Sequence, residues 1–401
     1  MKILIIAHFT QIPSEKGNNR FNYVAEFMGK NQENQVELVT SRFSHKFKTT
    51  RELRDEEILK LNYKLTMLYE PKYKKNVSLR RFYSHYRLSK NLKKYLDKLD
   101  YKPDVIYCAV PSLDVAKVTA KYAKRNNIKF IIDVQDLWPE AFKMVLRIPL
   151  INNIIFFPMK RQADYIYKRA DNIVAVSKTY LNRVKAVNKK SIKNEVVFLG
   201  TEMEQFDKCN TSKEIKKNKN VIKIVYIGTL GHSYDIKIII DAIKILNEKE
   251  IKNIEFLIMG DGPLRENFEE YAKQKKVDCI FTGIIQYKEM IPELCNCDIA
   301  VNPIKKGSAG SIINKVGDYA MAGLPVINTQ ENAEYRELVD KYQIGYNCDN
   351  ENVYEISERI EYLIKNEKVR IQMGRNNRKL AEEKFDRKKT YTKIINIIEG
   401  E

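Results

Sequence analysis

The chain is poor in the residues that build metal sites and disulfide frameworks. Its six cysteines are scattered without a Cys-x-x-Cys pair, and only four histidines occur among 401 residues. Closely spaced cysteines and histidines mark zinc sites, and dense cysteines mark disulfide-stabilised secreted domains. We therefore expect no metal site, no disulfide framework and a reducing compartment such as the cytosol.

Long apolar runs are also lacking. A membrane-spanning helix needs ~20 consecutive apolar residues, whereas the closest segment, 148–159, is interrupted by two asparagines and two prolines. The early run Ile3–Ala7 is followed by polar residues from Gln11 onward, which makes it too short for a signal segment. It predicts a first β-strand.

Several catalytic motifs are missing as well. The first strand is not followed by Gly-x-Gly-x-x-Gly with an acid about 20 residues later, which disfavours a nicotinamide enzyme. There is no P-loop, and no nucleophile motif accompanies the four histidines. With these motifs missing, we expect a function that depends on binding and orienting phosphate groups.

The composition describes a globular, basic protein. Hydrophobic residues make up 44% of the chain and charged residues 31%, and the net charge is +19. A chain of this length predicts two domains, each large enough for its own core. The positive charge suits nucleic acid, an anionic membrane surface or anionic small substrates, and a general preference for lysine is the simpler alternative.

Short apolar strands alternate with helical segments along both halves of the chain. This pattern is typical of parallel sheets covered by helices on both faces, so we predict an α/β protein with two Rossmann-like halves. A polar segment, Asp207–Asn220, is the predicted linker or first loop of the second half. The predicted strands are Ile3–Ala7, Val36–Thr40, Val105–Cys108, Phe130–Val134, Ile173–Val176, Lys223–Ile227, Ile254–Met259, Cys279–Phe281, Ile299–Val301 and Val326–Asn328.

The segment 307–327 combines a small-residue loop, a helix and a buried strand. Ser311 is the predicted N-cap of the helix, with Lys315 one turn inside and Asp318 one turn further. A helix N-terminus attracts phosphate, a lysine adds positive charge, and an acid there can hold ribose hydroxyls. The structural alternative is a helix that only packs on its sheet.

Loops that contain glycine follow three of the predicted strands: 13–20, with one glycine and an arginine, and 228–231 and 260–265, with two glycines each. In open α/β sheets, ligands bind beyond the carboxyl ends of the strands. Each loop alone is often only a tight turn, but together they predict one ligand-binding cleft.

The order and spacing of these motifs resemble those of the family 4 glycosyltransferases, retaining enzymes of the GT-B fold. The matching segments are Gly228–Gly231, Gly260–Arg265, Phe281–Ile285 with Met290–Pro292, Cys297–Pro303 and Asn314–Ile327. Residues 133–140 and 175–177 are similar to the subgroup that adds sugars, often amino sugars, to O-antigen and capsule precursors.

The resemblance implies two Rossmann-like domains that face each other across a cleft. Residues 1–200 would form the acceptor domain and 201–384 the nucleotide-sugar domain. Residues 385–401 would be a C-terminal helix that returns to the N-terminal domain.

The chain departs from the family pattern at two places. The family usually has two glutamates around the nucleotide-sugar loop, and here Gly310 and Asp318 occupy those positions. The usual arginine and lysine that hold the diphosphate are missing, with Thr229 at the arginine position; Lys315 or Arg265 could take over their charge. An inactive member of the family therefore remains an alternative.

By resemblance, the donor is a nucleotide-diphosphate sugar, most simply UDP-linked, bound by the second half. Its base would lie near Gly283 and Ile285, its ribose on Asp318, and its phosphates near Lys315. Transfer would proceed by front-face attack, without metal or other cofactor, with Lys315 and Asp136 as the catalytic candidates. The predicted donor-binding residues are Gly228, Thr229, Leu230, Gly231, Gly260, Gly262, Arg265, Gly283, Ile285, Ser308, Ala309, Gly310, Ser311, Asn314, Lys315 and Asp318.

The acceptor, a surface-polysaccharide precursor such as a polyprenyl-diphosphate-linked glycan, would face the first half. The predicted acceptor-side residues are Gly17, Asn18, Arg20, Trp138 and Glu140, with Asp136 orienting a hydroxyl and Trp138 stacking on a sugar. The structural alternatives are a helix N-cap for Asp136 and a core aromatic for Trp138.

The segment 72–98 has an apolar stripe surrounded by basic residues. The predicted stripe consists of Leu79, Phe82, Tyr86, Leu92, Leu96 and Leu99. It predicts a cytoplasmic protein attached peripherally to the inner face of the membrane; packing on its own sheet is the alternative. Two other functions are possible alternatives, a sugar-nucleotide epimerase and a nucleic-acid-binding protein. The sequence contains no recognisable nucleic-acid-binding motif, so we expect no nucleic-acid partner.

Overall fold

The computed structural model describes residues 1–15, 20–76, 78–145, 154–211, 218, 220–251, 253–308, 312 and 314–401. They divide into two compact units, Met1–Phe198 with Tyr391–Glu401, and Leu199–Thr390. The predicted site residues Gly17, Asn18, Ala309, Gly310 and Ser311 lie outside the described residues. Each unit is described by itself below.

The first unit contains a parallel sheet of seven strands in the order β5-β2-β1-β6-β7-β8-β9. Its central strands are almost continuously apolar, as expected of a sheet that is covered on both faces. The strands are β1 (Lys2–Ile6), β2 (Gln35–Ser41), β3 (Phe43–Ser44), β4 (Thr49–Thr50), β5 (Lys64–Leu68), β6 (Val105–Val110), β7 (Lys129–Val134), β8 (Asn172–Ala175) and β9 (Asn194–Val196), of which β3 and β4 form a separate antiparallel pair.

Helices connect these strands. Two of them begin at serine N-caps: Ser78 accepts a hydrogen bond from the Arg81 amide, and Ser177 accepts one from the Tyr180 amide. The helices are α1 (Arg20–Gly29), α2 (Asp55–Ile58), α3 (Leu79–Leu96), α4 (Leu113–Arg125), α5 (Glu140–Val145), α6 (Phe157–Arg169) and α7 (Lys178–Lys185).

The apolar stripe predicted for α3 is only partly buried. Leu92 and Leu96 pack into the unit, but Leu79 is 87% exposed and Tyr86 is 50% exposed. Toward its N-terminal end the helix buries polar side chains instead, because Ser84 donates a hydrogen bond to the carboxylate of Glu70 (2.6 Å). Packing on the unit's own sheet, the structural alternative, therefore holds for the C-terminal part of the stripe only, and its N-terminal part is exposed.

The second unit is built around a six-stranded parallel sheet in the order β12-β11-β10-β13-β14-β15. Its strands are β10 (Ile222–Ile227), β11 (Ile254–Met259), β12 (Cys279–Gly283), β13 (Ile299–Asn302), β14 (Val326–Asn328) and β15 (Gly345–Asn347). Its helices are α8 (Met203–Thr211), α9 (Ile236–Glu248), α10 (Arg265–Lys275), α11 (Tyr287–Cys295), α12 (Lys315–Met321), α13 (Ala333–Tyr342), α14 (Val353–Lys365) and α15 (Glu367–Leu380), and α15 continues into a π-helical turn, Ala381–Phe385.

Two predicted boundaries differ from the structure. The predicted linker, Asp207–Asn220, starts too early, because residues 207–211 form the last part of helix α8. Instead of one helix from Phe385, the chain forms α16 (Arg387–Thr390) and α17 (Thr392–Glu399), with Tyr391 between them. Because four isoleucines of α17 lie in the apolar core of the first unit, the last helix belongs to that unit.

Candidate functional site

Two loops follow the central strands β10 and β11 of the second unit, and their backbones lie against each other. The amide of Leu230 donates a hydrogen bond to the carbonyl of Asp261 (2.9 Å). A Cβ atom at Gly260 would lie 1.8 Å from the carbonyl oxygen of Gly228, and one at Gly262 would lie 2.4 Å from that of Leu230. Both positions therefore require glycine for close backbone packing.

Lys315 lies beneath the first of these loops. Its ammonium nitrogen is 3.9 Å from the ring centroid of Tyr226 and 4.0 Å from that of Tyr234. A Cβ atom at Gly228 would approach the same nitrogen to 3.2 Å. The residue is 6% exposed, and its nitrogen has no hydrogen-bond partner among the described residues. Burial lowers the pKa of Lys315 well below its ordinary value.

The helix that carries Lys315 begins later than the sequence pattern predicts. We predicted an N-cap at Ser311 with Lys315 one turn inside, but Lys315 is the first residue of α12 and Asn314 precedes it as an exposed residue. The lysine therefore enters the core from the start of the helix.

Tyr319 anchors α12 to the sheet. Its hydroxyl accepts a hydrogen bond from the Ile227 amide (3.0 Å) and donates one to the carbonyl of Val301 (3.1 Å). On the same helix, Gly317 faces the ring of Phe385, which a Cβ atom would approach to 3.5 Å. These contacts fix the position of α12 relative to β10 and β13.

Asp318 lies on the turn of α12 that contains Lys315. One of its carboxylate oxygens accepts a hydrogen bond from the hydroxyl of Tyr287 (2.7 Å). Burial raises the pKa of Asp318 to about 6, and the hydrogen bond from Tyr287 acts in the opposite direction. The carboxyl group of Asp318 is therefore expected to lose its proton near pH 6 rather than near its ordinary pKa.

The guanidinium of Arg265 is engaged within its own unit. It donates hydrogen bonds to the Glu269 carboxylate (2.7 Å) and to the carbonyl of Phe281 (3.3 Å). Gly283 has φ +73, and a Cβ atom there would lie 2.9 Å from the guanidinium. Lys315 and Arg265 are the two candidate cations for a diphosphate. Among the described residues, the Lys315 nitrogen has no hydrogen-bond partner, whereas Arg265 has two.

The other described donor-site candidates surround the same strand ends. Leu230 is fully buried, so that only its backbone is available to a ligand, whereas Thr229 is exposed. The Ser308 amide donates to the carbonyl of Lys305 (3.0 Å). Gly231 has room for a side chain, and Ile285 is half-buried.

In the first unit, Asp136 and Trp138 form one local hydrogen-bonded group after β7. The Asp136 carboxylate accepts hydrogen bonds from the Leu137 amide (2.9 Å) and from the indole N–H of Trp138 (3.1 Å). Burial raises the pKa of Asp136, and the hydrogen bond from Trp138 opposes that rise. Trp138 is 7% exposed and packs edge-on against Phe142, which matches the core-aromatic alternative.

Arg20 is a buried ion-pair partner. Its guanidinium donates to both carboxylate oxygens of Asp133, at 2.6 and 3.3 Å, and to the carbonyl of Val197 (2.9 Å). The guanidinium also stacks over the Tyr391 ring. With 1% of the residue exposed, Arg20 does not present its charge to an acceptor.

Glu140 is partly committed to an ion pair with Arg183, whose guanidinium nitrogen lies 2.5 Å from one carboxylate oxygen. Its second carboxylate oxygen is buried and has no hydrogen-bond partner among the described residues.

A cavity of about 270 Å³ in the first unit was not anticipated from the sequence. In the wall of this cavity, Arg51 forms an ion pair with Glu15 (2.8 Å). The guanidinium of Arg81 lies over the Trp138 ring, and its buried Nε atom has no hydrogen-bond partner among the described residues. No motif could have revealed this cavity, because its walls come from distant parts of the chain. It is lined by Phe9, Gln11, Glu15, His45, Lys46, Arg51, Tyr73, Asn76 and Arg81.

Comparison with a family model supports the expected class. Residues 207–380 match the family described as Glycosyl transferases group 1. An uncharacterized glycosyltransferase of Methanocaldococcus jannaschii is 28% identical over 256 residues, which span 62% of this chain and 63% of the relative. The chain thus aligns with slightly less than two thirds of that relative's length.

Comparison with solved structures confirms the predicted GT-B fold. An Anabaena protein, HepE in complex with UDP, has a TM-score of 0.70 with 14% identity and complete coverage of both chains. WaaG, a glycosyltransferase involved in lipopolysaccharide biosynthesis, has a TM-score of 0.65 with 13% identity, covering 99% of this chain and all of WaaG. Within the described residues, no helix is both long and apolar enough to cross a membrane.

Proposed function

We propose that this protein is a retaining glycosyltransferase that transfers a hexose or N-acetylhexosamine from a UDP-linked donor to a surface-polysaccharide precursor. The match of residues 207–380 to the glycosyl transferases of group 1 supports the class of reaction. The UDP complex of HepE supports a nucleotide-sugar donor.

The observation that carries the proposal is the unpartnered ammonium of Lys315. A buried cation without an anion is costly, and the two tyrosine rings beside it return only part of that cost. A diphosphate placed over the Gly228 turn would supply the missing anion. Lys315 would then neutralise negative charge as the diphosphate departs.

Asp318 fits the second contact with the donor. Its oxygens can accept hydrogen bonds from two ribose hydroxyls, which would favour the ionised form of a carboxylate whose pKa is raised by burial. The base would then lie near Gly283 and Ile285, at the end of β12.

The proposed reaction is a front-face substitution without metal in the transfer step. The acceptor oxygen forms a bond to the anomeric carbon while the bond from that carbon to the diphosphate oxygen breaks. The acceptor proton passes to the departing diphosphate, whose charge Lys315 stabilises. Asp136 is assigned to orient an acceptor hydroxyl, with its own position fixed by the Trp138 indole.

For the acceptor, the cavity beside Arg81 and Lys46 is the best-suited region of the first unit. Arginine and lysine side chains favour an anionic group such as the diphosphate of a polyprenyl-linked glycan. Arg20 is left out of this contact because its charge is committed to Asp133.

Peripheral attachment to the membrane is proposed for α3. The helix exposes Leu79, Phe82 and Tyr83 next to the basic residues Arg80 and Arg87. Apolar side chains that enter the headgroup region and cations that attract anionic lipid act together on such a surface. This attachment would hold the enzyme on the inner face of the membrane, beside a lipid-linked acceptor.

The test is calorimetric titration with UDP, GDP, ADP and TDP, followed by product analysis with the corresponding sugar nucleotides. We expect UDP to bind, and free UDP to be released only when a glycan acceptor is present. Conversion of the sugar nucleotide to an isomer without an acceptor would replace this proposal by an epimerase. The absence of binding by every nucleotide would contradict both functions.

A further inference from the structure

Three of the four histidines of the chain meet in the first unit, together with one glutamate. His8, His45, Glu70 and His85 each offer one potential ligand atom, and these four atoms lie within 4.8 Å of one another. Three of the residues are buried and His45 is half-buried. This histidine cluster plays no part in the proposed transfer reaction.

Glu70 lies at the centre of the histidine cluster. One of its carboxylate oxygens is 2.9 Å from Nε2 of His8 and 3.2 Å from Nε2 of His45. Its other oxygen accepts a hydrogen bond from the hydroxyl of Ser84 (2.6 Å). The carboxylate is thus oriented so that one oxygen faces the imidazoles.

The opposite ring nitrogens of two histidines are held by hydroxyl groups. Nδ1 of His8 lies 2.8 Å from the Ser112 hydroxyl, and Nδ1 of His45 lies 2.6 Å from the hydroxyl of Tyr73. Metal-binding histidines are usually fixed in this way, with the second nitrogen hydrogen-bonded so that the first is aimed at the ion.

The third histidine of the cluster, His85, has a ring nitrogen that no hydrogen bond accounts for. Its Nε2 atom is buried and has no hydrogen-bond partner among the described residues, and the residue is only 2% exposed. Buried polar atoms almost always have a partner, so an isolated ring nitrogen beside two other imidazoles and a carboxylate indicates a missing ligand.

We propose that His8, His45, Glu70 and His85 form a structural zinc site. Three imidazole nitrogens and one carboxylate oxygen suit tetrahedral Zn²⁺ and are a poor match for Mg²⁺ or Ca²⁺, which prefer oxygen ligands. Ligand atoms around tetrahedral zinc lie roughly 3.3 Å apart for bonds of about 2.0 Å. The Glu70 oxygen is already 2.9 Å from His8 Nε2 and 3.2 Å from His45 Nε2, and all four ligand atoms lie within 4.8 Å of one another, so binding of the ion would draw the most distant atoms closer together.

The zinc ion would join four separate segments of the first unit. His8 follows β1, His45 lies between β3 and β4, Glu70 follows β5, and His85 is on α3. Because His45 also lines the 270 Å³ cavity, the metal would fix one wall of the proposed acceptor region. The site goes beyond the proposed transfer reaction and supplies no chemical step to it.

The experiment uses the full chain after removal of metal by a chelator. We expect one Zn²⁺ to bind per chain, to raise the thermal midpoint, and to displace Co²⁺ whose visible absorption is that of a tetrahedral site. His8→Gln and His85→Gln should each lose the absorption and the zinc-dependent midpoint shift. His232→Gln is the matched control, because it changes the one histidine outside the cluster and is exposed.

A further variant guards against loss of folding. His85→Cys keeps a zinc ligand, so it should retain binding and give Co²⁺ an additional thiolate charge-transfer absorption that proves direct contact. Wild-type protein that is folded but binds no stoichiometric Zn²⁺ or Co²⁺ would overturn the zinc site. Binding that persists equally in His8→Gln and His85→Gln would do the same. Neither result would affect the test with nucleotides.

Discussion

The ammonium nitrogen of Lys315 lies 3.9 Å from the centre of the Tyr226 ring. Attraction between a cation and an aromatic face is worth about 0.5–2 kcal/mol, whereas burying an ammonium costs several kcal/mol. The two rings around Lys315 therefore stabilise its charge incompletely. The diphosphate of the proposed donor would supply the missing anion, and several measurable consequences depend on this relationship.

Replacing Lys315 tests its role toward the leaving diphosphate. Lys315→Ala should lower turnover by about two or more orders of magnitude, as expected when a strong electrostatic group is lost. Steady-state kinetics with the best UDP-sugar measures the effect. Lys306→Ala, which removes an exposed lysine from the preceding loop, should change turnover little. Near-normal turnover of Lys315→Ala would exclude the role.

Donor binding should be accompanied by proton uptake. Lys315 has a depressed pKa in the unliganded protein, and a nearby diphosphate raises that pKa by favouring the ammonium form. Calorimetric titration with UDP near pH 8 in buffers of different ionisation enthalpy should show protons taken up by the wild type. Lys315→Met should show less uptake. Equal uptake by both proteins would show that another group titrates.

Asp318 should make the stability of the second unit depend on pH. Its pKa is 3.8 ordinarily and about 6 in the folded protein, so the folded state holds the proton more tightly. Stability from this group is full below pH 3.8 and is lost as pH rises through 6, by at most about 3 kcal/mol at about 1.36 kcal/mol per pKa unit. Urea unfolding of wild type and Asp318→Asn at several pH values, followed by circular dichroism, should show this loss only in the wild type. Parallel pH profiles would contradict it.

Arg20 should be essential for the stability of the first unit. Arg20→Ala leaves the buried carboxylate of Asp133 without its cationic partner, with only the Tyr107 hydroxyl still donating to it, and breaking a buried ion pair in this way costs about 3–5 kcal/mol. Trp138 is the only tryptophan and lies in this unit, so its fluorescence during urea unfolding reports the change. Exposed Arg42 provides the control, since Arg42→Ala should have little effect. A variant with normal stability and a raised KM for the acceptor would instead assign Arg20 to acceptor binding.

The exposed face of α3 should bind anionic lipid. Replacing Arg80, Arg87 and Lys90 by glutamate should remove binding to vesicles that contain phosphatidylglycerol, because each basic residue near the headgroups contributes about 1 kcal/mol. Cosedimentation at physiological salt measures the binding. Lys121→Glu with Lys124→Glu on α4 reverses two exposed charges away from α3, and Arg80→Glu with Arg87→Glu is the matched double variant with the same charge change. If both double variants bind equally, or wild type fails to bind, docking through α3 is wrong.

The central strands were predictable because their mostly apolar residues favour a buried β-strand. The observed strands Ile254–Met259 and Val326–Asn328 match the predicted limits, since short segments rich in apolar residues form buried parallel strands. The edge strands β5, β9 and β15 were missed. They are short or partly exposed, and their sequences lack the apolar run on which the prediction relied.

The sequence pattern placed the loops at 228–231 and 260–265 directly after two strands, and the structure has them after β10 and β11. That these loops and Lys315 bind a ligand stays a prediction, and the contacts between them were not foreseen. The cation–aromatic contacts of Lys315 could not be predicted, because Tyr226 and Tyr234 are distant in sequence and reach the lysine only after β10 and α12 pack together.

The sequence by itself determined the two α/β units, their parallel sheets and the loops at the ends of the strands, because apolar periodicity and glycine positions act locally. Tertiary structure decided which polar groups meet. It placed Arg20 against Asp133, and it gathered His8, His45, Glu70 and His85 from across 78 positions into one cluster. Such encounters depend on how strands and helices pack in space, and no local pattern encodes them.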